Sequence, residues 1–266
     1  MEPVKQKARE LLESGRAQAV IGRTRGPGGR VRPLFARKAS EVEALLLDES
    51  SGINLAVYWR KPEVRALGKL AFVASIAELR SFLQLAAESQ FKEGDAVLLA
   101  LDKAGNPVEL TKPTEIAAVV EKLSEPPTDQ RPSPVDVESL DCAGRWDFWQ
   151  QEFSRCVKCY ACRASCPMCY CDQCLTDCNQ PQWVSVPAHA LGNFEWHVNR
   201  AMHLAGRCVE CGACSEACPV DIPLFLINRF LGRLVDKQFG QRAGVREKLD
   251  YALSVFASRD REDFIK

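Results

Sequence analysis

Two cysteine runs constrain this chain more than any other feature. Cys156, Cys159, Cys162 and Cys166, followed by Pro167, spell C-x2-C-x2-C-x3-C-P. Cys208, Cys211, Cys214 and Cys218, followed by Pro219, spell it again. Twelve of the thirteen cysteines fall between Cys156 and Cys218. Thiols so close in sequence are poorly placed to bridge one another and well placed to surround metal, so disulfides are not expected.

The spacing is that of the bacterial run that holds a [4Fe–4S] cluster. A tight loop with a cysteine at every third position aims three thiolates at three irons of one cube. The fourth cysteine is carried off by the turn that follows and reaches the neighbouring cube. Crossed ligation is therefore expected. One cluster takes Cys156, Cys159, Cys162 and Cys218, and the other takes Cys208, Cys211, Cys214 and Cys166. Backbone N–H groups should point at the sulfurs, with Gly212 and Ala213 keeping the second loop compact. Zinc prefers two separated cysteine pairs, which fits three evenly stepped cysteines less well. Cys162, Cys166 and Cys169 also match the spacing of radical SAM enzymes, but no large α/β barrel follows them.

Four cysteines exceed the needs of two cubes. Cys169, Cys171, Cys174 and Cys178 lie in an insertion spanning 167–207 and are candidates for a third [4Fe–4S] cluster or a zinc ion. The alternative is a set of free thiols, which would be an oxidation liability. His189, His197 and His203 are the only histidines. Of these His203, five residues before Cys208, could face a cluster. Cys142 stands alone and reads as structural.

The remaining sequence divides in two around "SEPPTDQRPSPVDV", a proline-rich linker at 124–137. Residues 1–123 alternate helical patterns (Val4–Glu13, Ser40–Leu47, Ala77–Ser89, Thr114–Leu123) with short apolar runs at 17–22, 54–59, 69–75 and 95–101. Buried strands of a small, mostly parallel sheet are expected, in an α/β docking domain. "GRTRGPGGRVRP" (22–33) reads as a basic hairpin or docking loop rather than a phosphate cradle. Residues 138–266 are expected to form a helix-rich α+β dicluster ferredoxin-like domain. Trp146, Trp149 and Phe153 share a helical face there that should pack in the core. The apolar helix at 222–235 is either buried or docks a partner.

Lys plus Arg equals Asp plus Glu at 35 each, so no global field draws this chain to nucleic acid or anionic membranes. No apolar run reaches the length of a transmembrane segment, and the charged N-terminus lacks a signal-peptide core. A cytoplasmic protein is expected.

The stretches "RCVKCYACRASCPMCYCDQC" and "HLAGRCVECGACSEACPVDIP" resemble iron–sulfur proteins related to the beta subunits of deazaflavin-dependent hydrogenases and formate dehydrogenases. Relatives of these occur beside heterodisulfide-reductase-like proteins and flavin oxidoreductases in anaerobes. "ARELLESGRAQAVIGRTRG" and "LAFVASIAELRSFLQLAAE" look like that family's opening elements. The cysteines from Cys156 to Cys174 and from Cys208 to Cys218 match its pattern position by position, whereas Cys178 and Cys142 do not clearly belong to it. The resemblance implies an electron-transfer subunit between a flavin, nicotinamide, hydrogenase or formate dehydrogenase partner and a heterodisulfide-reductase-like one. A catalytic flavin subunit acting on a deazaflavin is the alternative it raises. A metal-stapled structural module is another reading. The family's cysteine-bearing turn is replaced here by "SIAELRS" (75–81), and no cysteine precedes Cys142, so a bound FAD is not expected.

Overall fold

The computed structural model describes residues 2–47, 52–123, 136–178 and 180–248, with 254, 255 and 258. Most of the linker, 124–135, lies outside the described residues.

Short apolar runs supply the centre of a five-stranded sheet with order β2-β1-β3-β4-β5. The strands are β1 (Ala19–Arg25), β2 (Val31–Ala36), β3 (Leu70–Val73), β4 (Ala96–Leu101) and β5 (Pro107–Leu110). Side chains one apart along β1 go to opposite faces, as the strand period requires. Ala19 and Ile21 enter one core and Val20 the other. The second core is closed by Val4, Ala8 and Leu11 of α1 (Glu2–Glu13). The first is closed by α3 (Ile76–Ala87) and α4 (Pro113–Leu123), with Phe72, Phe82, Phe91 and Trp59 packed edge to face.

The sheet is mixed rather than mostly parallel. β1, β3 and β4 run parallel, but both edges are antiparallel hairpin partners, β2 on β1 and β5 on β4. The 22–33 stretch is the first of these hairpins. One of its arginines, Arg23, turns inward at 3% exposure.

The run at 54–59 is no strand. It forms a 3-10 turn, Leu55–Arg60. The Asn54 side chain accepts from Ala56 N, and Glu78 Oε1 accepts from Leu55 N at 2.8 Å. Side chains thus capture the N–H groups that a sheet would have used. Glu78 is itself fully buried, paired with Arg23 at 2.5 Å and closing the capping box of α3 with Ser75. The 40–47 helix likewise shrinks to a 3-10 turn, Ala39–Ala44.

After a four-residue helix α2 (Pro62–Arg65), the later half adds α5 (Cys142–Ser154), α6 (Ala161–Ala164), α7 (Ala190–His203), α8 (Ala213–Glu216) and α9 (Leu224–Phe239). The β component expected there is not found. Every strand among the described residues lies between Ala19 and Leu110. The expected aromatic face grades outward, from buried Phe153 through half-buried Trp149 to exposed Trp146. No helix of the described residues is long and apolar enough to cross a membrane.

The two halves share a core. Met168 and Leu204 are buried among the sheet's residues, with Cys166, Cys169, Tyr170 and Cys208 packed against them. At its edge Arg207 grips Glu88 through two hydrogen bonds of 2.6 and 2.8 Å, and Tyr170 Oη donates to the same carboxylate at 2.5 Å. Both Arg60 and Arg207 lie 5.3 Å from the Tyr170 ring centroid. Gly244 N donates to Gln84 Oε1 at 2.9 Å. A Cβ on Gly244 would stand 2.4 Å from the Arg80 carbonyl oxygen, so only glycine permits that approach.

Burial pushes the Glu88 carboxyl up, but Arg207, Tyr170 and Gln84 outweigh it and hold it below the ordinary carboxylate range. Glu88→Gln should therefore destabilise the protein by about 2 kcal/mol at neutral pH. The contribution is whole above the unfolded glutamate pKa of about 4.3 and is lost as pH falls through the lower folded value. Urea unfolding of both proteins across pH checks this: the difference between them should narrow on acidification.

Candidate metal centre

The two cysteine runs adopt one backbone twice. Lys158 and Tyr160 flank Cys159 in left-handed conformation (φ 51° and 56°), and Glu210 and Gly212 flank Cys211 in the same way (φ 60° and 74°). Each left-handed non-glycine residue costs about 1 kcal/mol. Glycine occupies only one of these four places. The Tyr160 ring recovers part of its cost edge-on against Trp196 at 5.1 Å.

The hydrogen bonds repeat as well. Lys158 N lies 3.3 Å from Cys156 Sγ, and Glu210 N lies 3.4 Å from Cys208 Sγ. Arg163 N and Ala164 N donate to the Tyr160 carbonyl, as Ser215 N and Glu216 N do to that of Gly212. Cys169 N donates to the Cys166 carbonyl, as Asp221 N does to that of Cys218. A helix leads into each run, α5 into the first and α7 into the second. Asn193 on α7, 1% exposed, ties the first loop down by donating to the carbonyls of Phe153 (3.1 Å) and Cys156 (2.8 Å).

The fourth cysteine of each run lies beside the other run. Burial raises the Cys156 thiol, and the charges of Cys218 and Cys159 raise it further. Burial drives Cys211 to about 12, with Cys166 adding to the shift. Cys162 is raised to about 11 by burial, with Cys214 and Cys156 among its neighbours. Metal coordination would hold such buried thiols as thiolates. Among the described residues, no three His, Cys, Asp or Glu side chains are placed to hold one metal ion. A cubane takes its thiolates at four separate irons, so its ligands need not converge on a point.

The α/β half closes over the second set. The Asn54 side chain lies close to the Cys211 thiol, and Arg80 faces Glu210, Cys208 and Cys211. In the first set Cys159 is exposed.

The insertion cysteines pack in different places. Cys169 lies against Cys166, which lowers the Cys166 thiol and raises its own, and it packs on the sheet's core. Cys174 packs on a different core, with Phe153 and Trp196. Cys171 is exposed, and Cys178 Sγ lies 3.6 Å from the Cys174 carbonyl. Cys142 is exposed in the first turn of α5, with the Arg145 guanidinium 3.4 Å away.

His203 is exposed, and the histidine that enters this region is His197, 3% exposed and stacked 4.5 Å from the Phe153 ring. Burial, then Arg200 and Lys158, lower its pKa to about 3, so it is neutral at ordinary pH. Arg200 itself, 4% exposed, is a second residue that spacing alone did not single out. A polar residue every third or fourth position on the α7 face (Asn193, His197, Arg200) was the available signal.

Asn193→Ala removes two buried hydrogen bonds, a loss of about 2 kcal/mol locally. Amide exchange in the Cys156–Cys162 loop should rise about tenfold or more, with the Cys208–Cys214 loop little changed. Mass-spectrometric hydrogen exchange measures both loops in one sample.

A family model described as a 4Fe–4S binding domain matches residues 204–223. The chain is 32% identical over 102 residues to the F420-dependent formate dehydrogenase subunit beta of Methanocaldococcus jannaschii, covering 38% of this chain and 26% of that one. It is 32% identical over 105 residues to the F420-dependent formate dehydrogenase 1 subunit beta of Methanococcus maripaludis, covering 40% and 26%. The match thus spans about a quarter of the length of these curated relatives. The chain carries a 4Fe–4S binding domain and, over about two fifths of its length, is similar to the beta subunits of F420-dependent formate dehydrogenases.

Proposed function

We propose that this chain is an iron–sulfur electron-transfer subunit with two [4Fe–4S] clusters on crossed cysteine sets. Cys156, Cys159, Cys162 and Cys218 hold one, and Cys208, Cys211, Cys214 and Cys166 hold the other. What supports the reading is the packing of Cys218 with Cys156 and Cys162 against one core, and of Cys166 with Cys208 against the other. The duplicated loop backbone supports it.

Each cluster, when bound, supplies a one-electron couple. The chain's own residues do the rest. The N–H groups of Lys158 and Glu210 steady the sulfurs of Cys156 and Cys208. Met168 and Leu204 exclude water beside the second set. Exposed Cys159 leaves the first set open toward a redox partner. The partners proposed are a flavin-, nicotinamide-, hydrogenase- or formate-dehydrogenase-type subunit and a heterodisulfide-reductase-like one, in a cytoplasmic complex; the names of the relatives support the formate dehydrogenase type.

Anaerobically purified protein should be brown, contain about eight irons per chain and give a paramagnetic signal with dithionite. Fewer than about four irons with stoichiometric zinc defeats the reading. Iron well above eight would bring the insertion cysteines in as a third centre. Cys166→Ala should abolish the cluster of Cys208, Cys211 and Cys214 and spare its neighbour. Loss of the other cluster instead would refute the crossing.

One observation favours the second reading, a flavin-binding catalytic subunit. A cleft of about 700 Å³ runs between the hairpin (Arg25, Arg30), the 3-10 turn (Tyr58, Lys61) and the cysteine helices (Ser165, Ala213). Its basic rim suits a phosphate-bearing cofactor. FAD retained on gentle isolation decides for that reading, and its absence with intact clusters decides against it.

A further inference from the structure

Among the cations of the cysteine-bearing half, Arg200 is set apart by its surroundings. Arg207 is taken up by Glu88 and Arg163 by Asp177. Lys158 donates to the Ser185 carbonyl. Arg200 is 4% exposed, and the strongest charge influences on it come from the thiols of Cys214, Cys166, Cys169 and Cys162. Its Nη2 donates to the Cys162 carbonyl at 3.0 Å, and Cys162 is buried in one core with Cys214 of the other run. Its Nε has no hydrogen-bond partner among the described residues. The four thiols come from both cysteine sets and from the insertion. The side chain therefore stands between the two centres rather than at the edge of one.

A guanidinium keeps its charge in any protein environment, whereas a buried lysine could discharge. Taking it out of water with no anion nearby would be strongly unfavourable. The fold tolerates Arg200 only if negative charge surrounds it, and four-thiolate cubanes are anionic. Reduction by one electron adds a further negative charge to such a group without a bond forming or a proton moving. A fixed cation at short range favours the reduced form.

We propose that Arg200 is the shared counter-ion of the two cysteine sets, a permanent positive charge that makes both centres easier to reduce. This rests on the two-cluster reading and adds to it a residue that is not a ligand.

The test uses the full-length, cluster-loaded protein, its Arg200→Gln variant, which keeps an N–H donor for the Cys162 carbonyl, and its Arg200→Lys variant, which keeps the charge. Iron and sulfide are quantified, and each protein is titrated with dithionite under spin-resonance detection. In the Gln variant, with both clusters present, the reduction equilibrium constant should fall about tenfold or more, which is about 59 mV for one electron. Iron loss in the Gln variant alone, with Lys retaining both clusters, also supports a charge role. The proposal is overturned if the fully loaded Gln variant titrates like the parent. It is equally overturned if the Gln and Lys variants both lose iron, since Arg200 would then be a geometric tie. A parent protein without about eight irons would sink the cluster reading instead, and the two failures are separable.

Discussion

Everything at the cysteine centre depends on four residues held in left-handed conformation. Lys158, Tyr160, Glu210 and Gly212 give both runs the same left-handed turns on either side of the second cysteine. They also hand the chain into a four-residue helix that carries the last cysteine away. Without those turns the spacing of the cysteines would not produce this arrangement. Three of the four residues bear side chains that disfavour the conformation, so the surrounding packing must hold it. Asn193, the Tyr160–Trp196 contact and the seating of α7 against α5 provide that support.

The α/β half contributes closure rather than ligands. Its sheet is continuous with the packing under Cys166, Cys169 and Cys208, and Asn54 reaches Cys211. The same asparagine caps the 3-10 turn that replaced an expected strand. The departure from regular sheet structure at 54–59 therefore coincides with the place where this half meets the thiols. A local rule gives way where the site needs a polar group aimed at it.

Much of this was legible beforehand, for identifiable reasons. The cysteine runs are a one-dimensional signal whose spacing maps directly onto loop geometry. β1, β3 and β4 are buried, and their apolar runs stand out. The two edge strands did not stand out, because Val31–Ala36 contains Pro33 and alternating exposed residues, and Pro107–Leu110 is short. The run at 54–59 is apolar enough for a strand or a buried turn. What decides between them is Glu78, more than twenty residues away, and periodicity cannot see it. The polar spacing of Asn193, His197 and Arg200 marks a helical face, but the direction of that face was hidden for a similar reason. Nothing in a helix sequence says which polar residue faces inward until the neighbouring helix is in place. Left-handed lysine and glutamate leave no mark in composition at all.

The seam at Glu88 has a consequence for how the molecule holds together in time. Tyr170 is wedged between two guanidiniums, with its hydroxyl on the same carboxylate, so the segment between the cysteine runs is anchored to the far half. Composition draws a boundary at the prolines, but cooperativity ignores it. Free energy gained at the thiols is transmitted into the sheet, and fluctuations that open the sheet reach the thiols. A core shared in this way couples the opening of one half to that of the other, so any centre formed at the thiols would steady strands that it never touches.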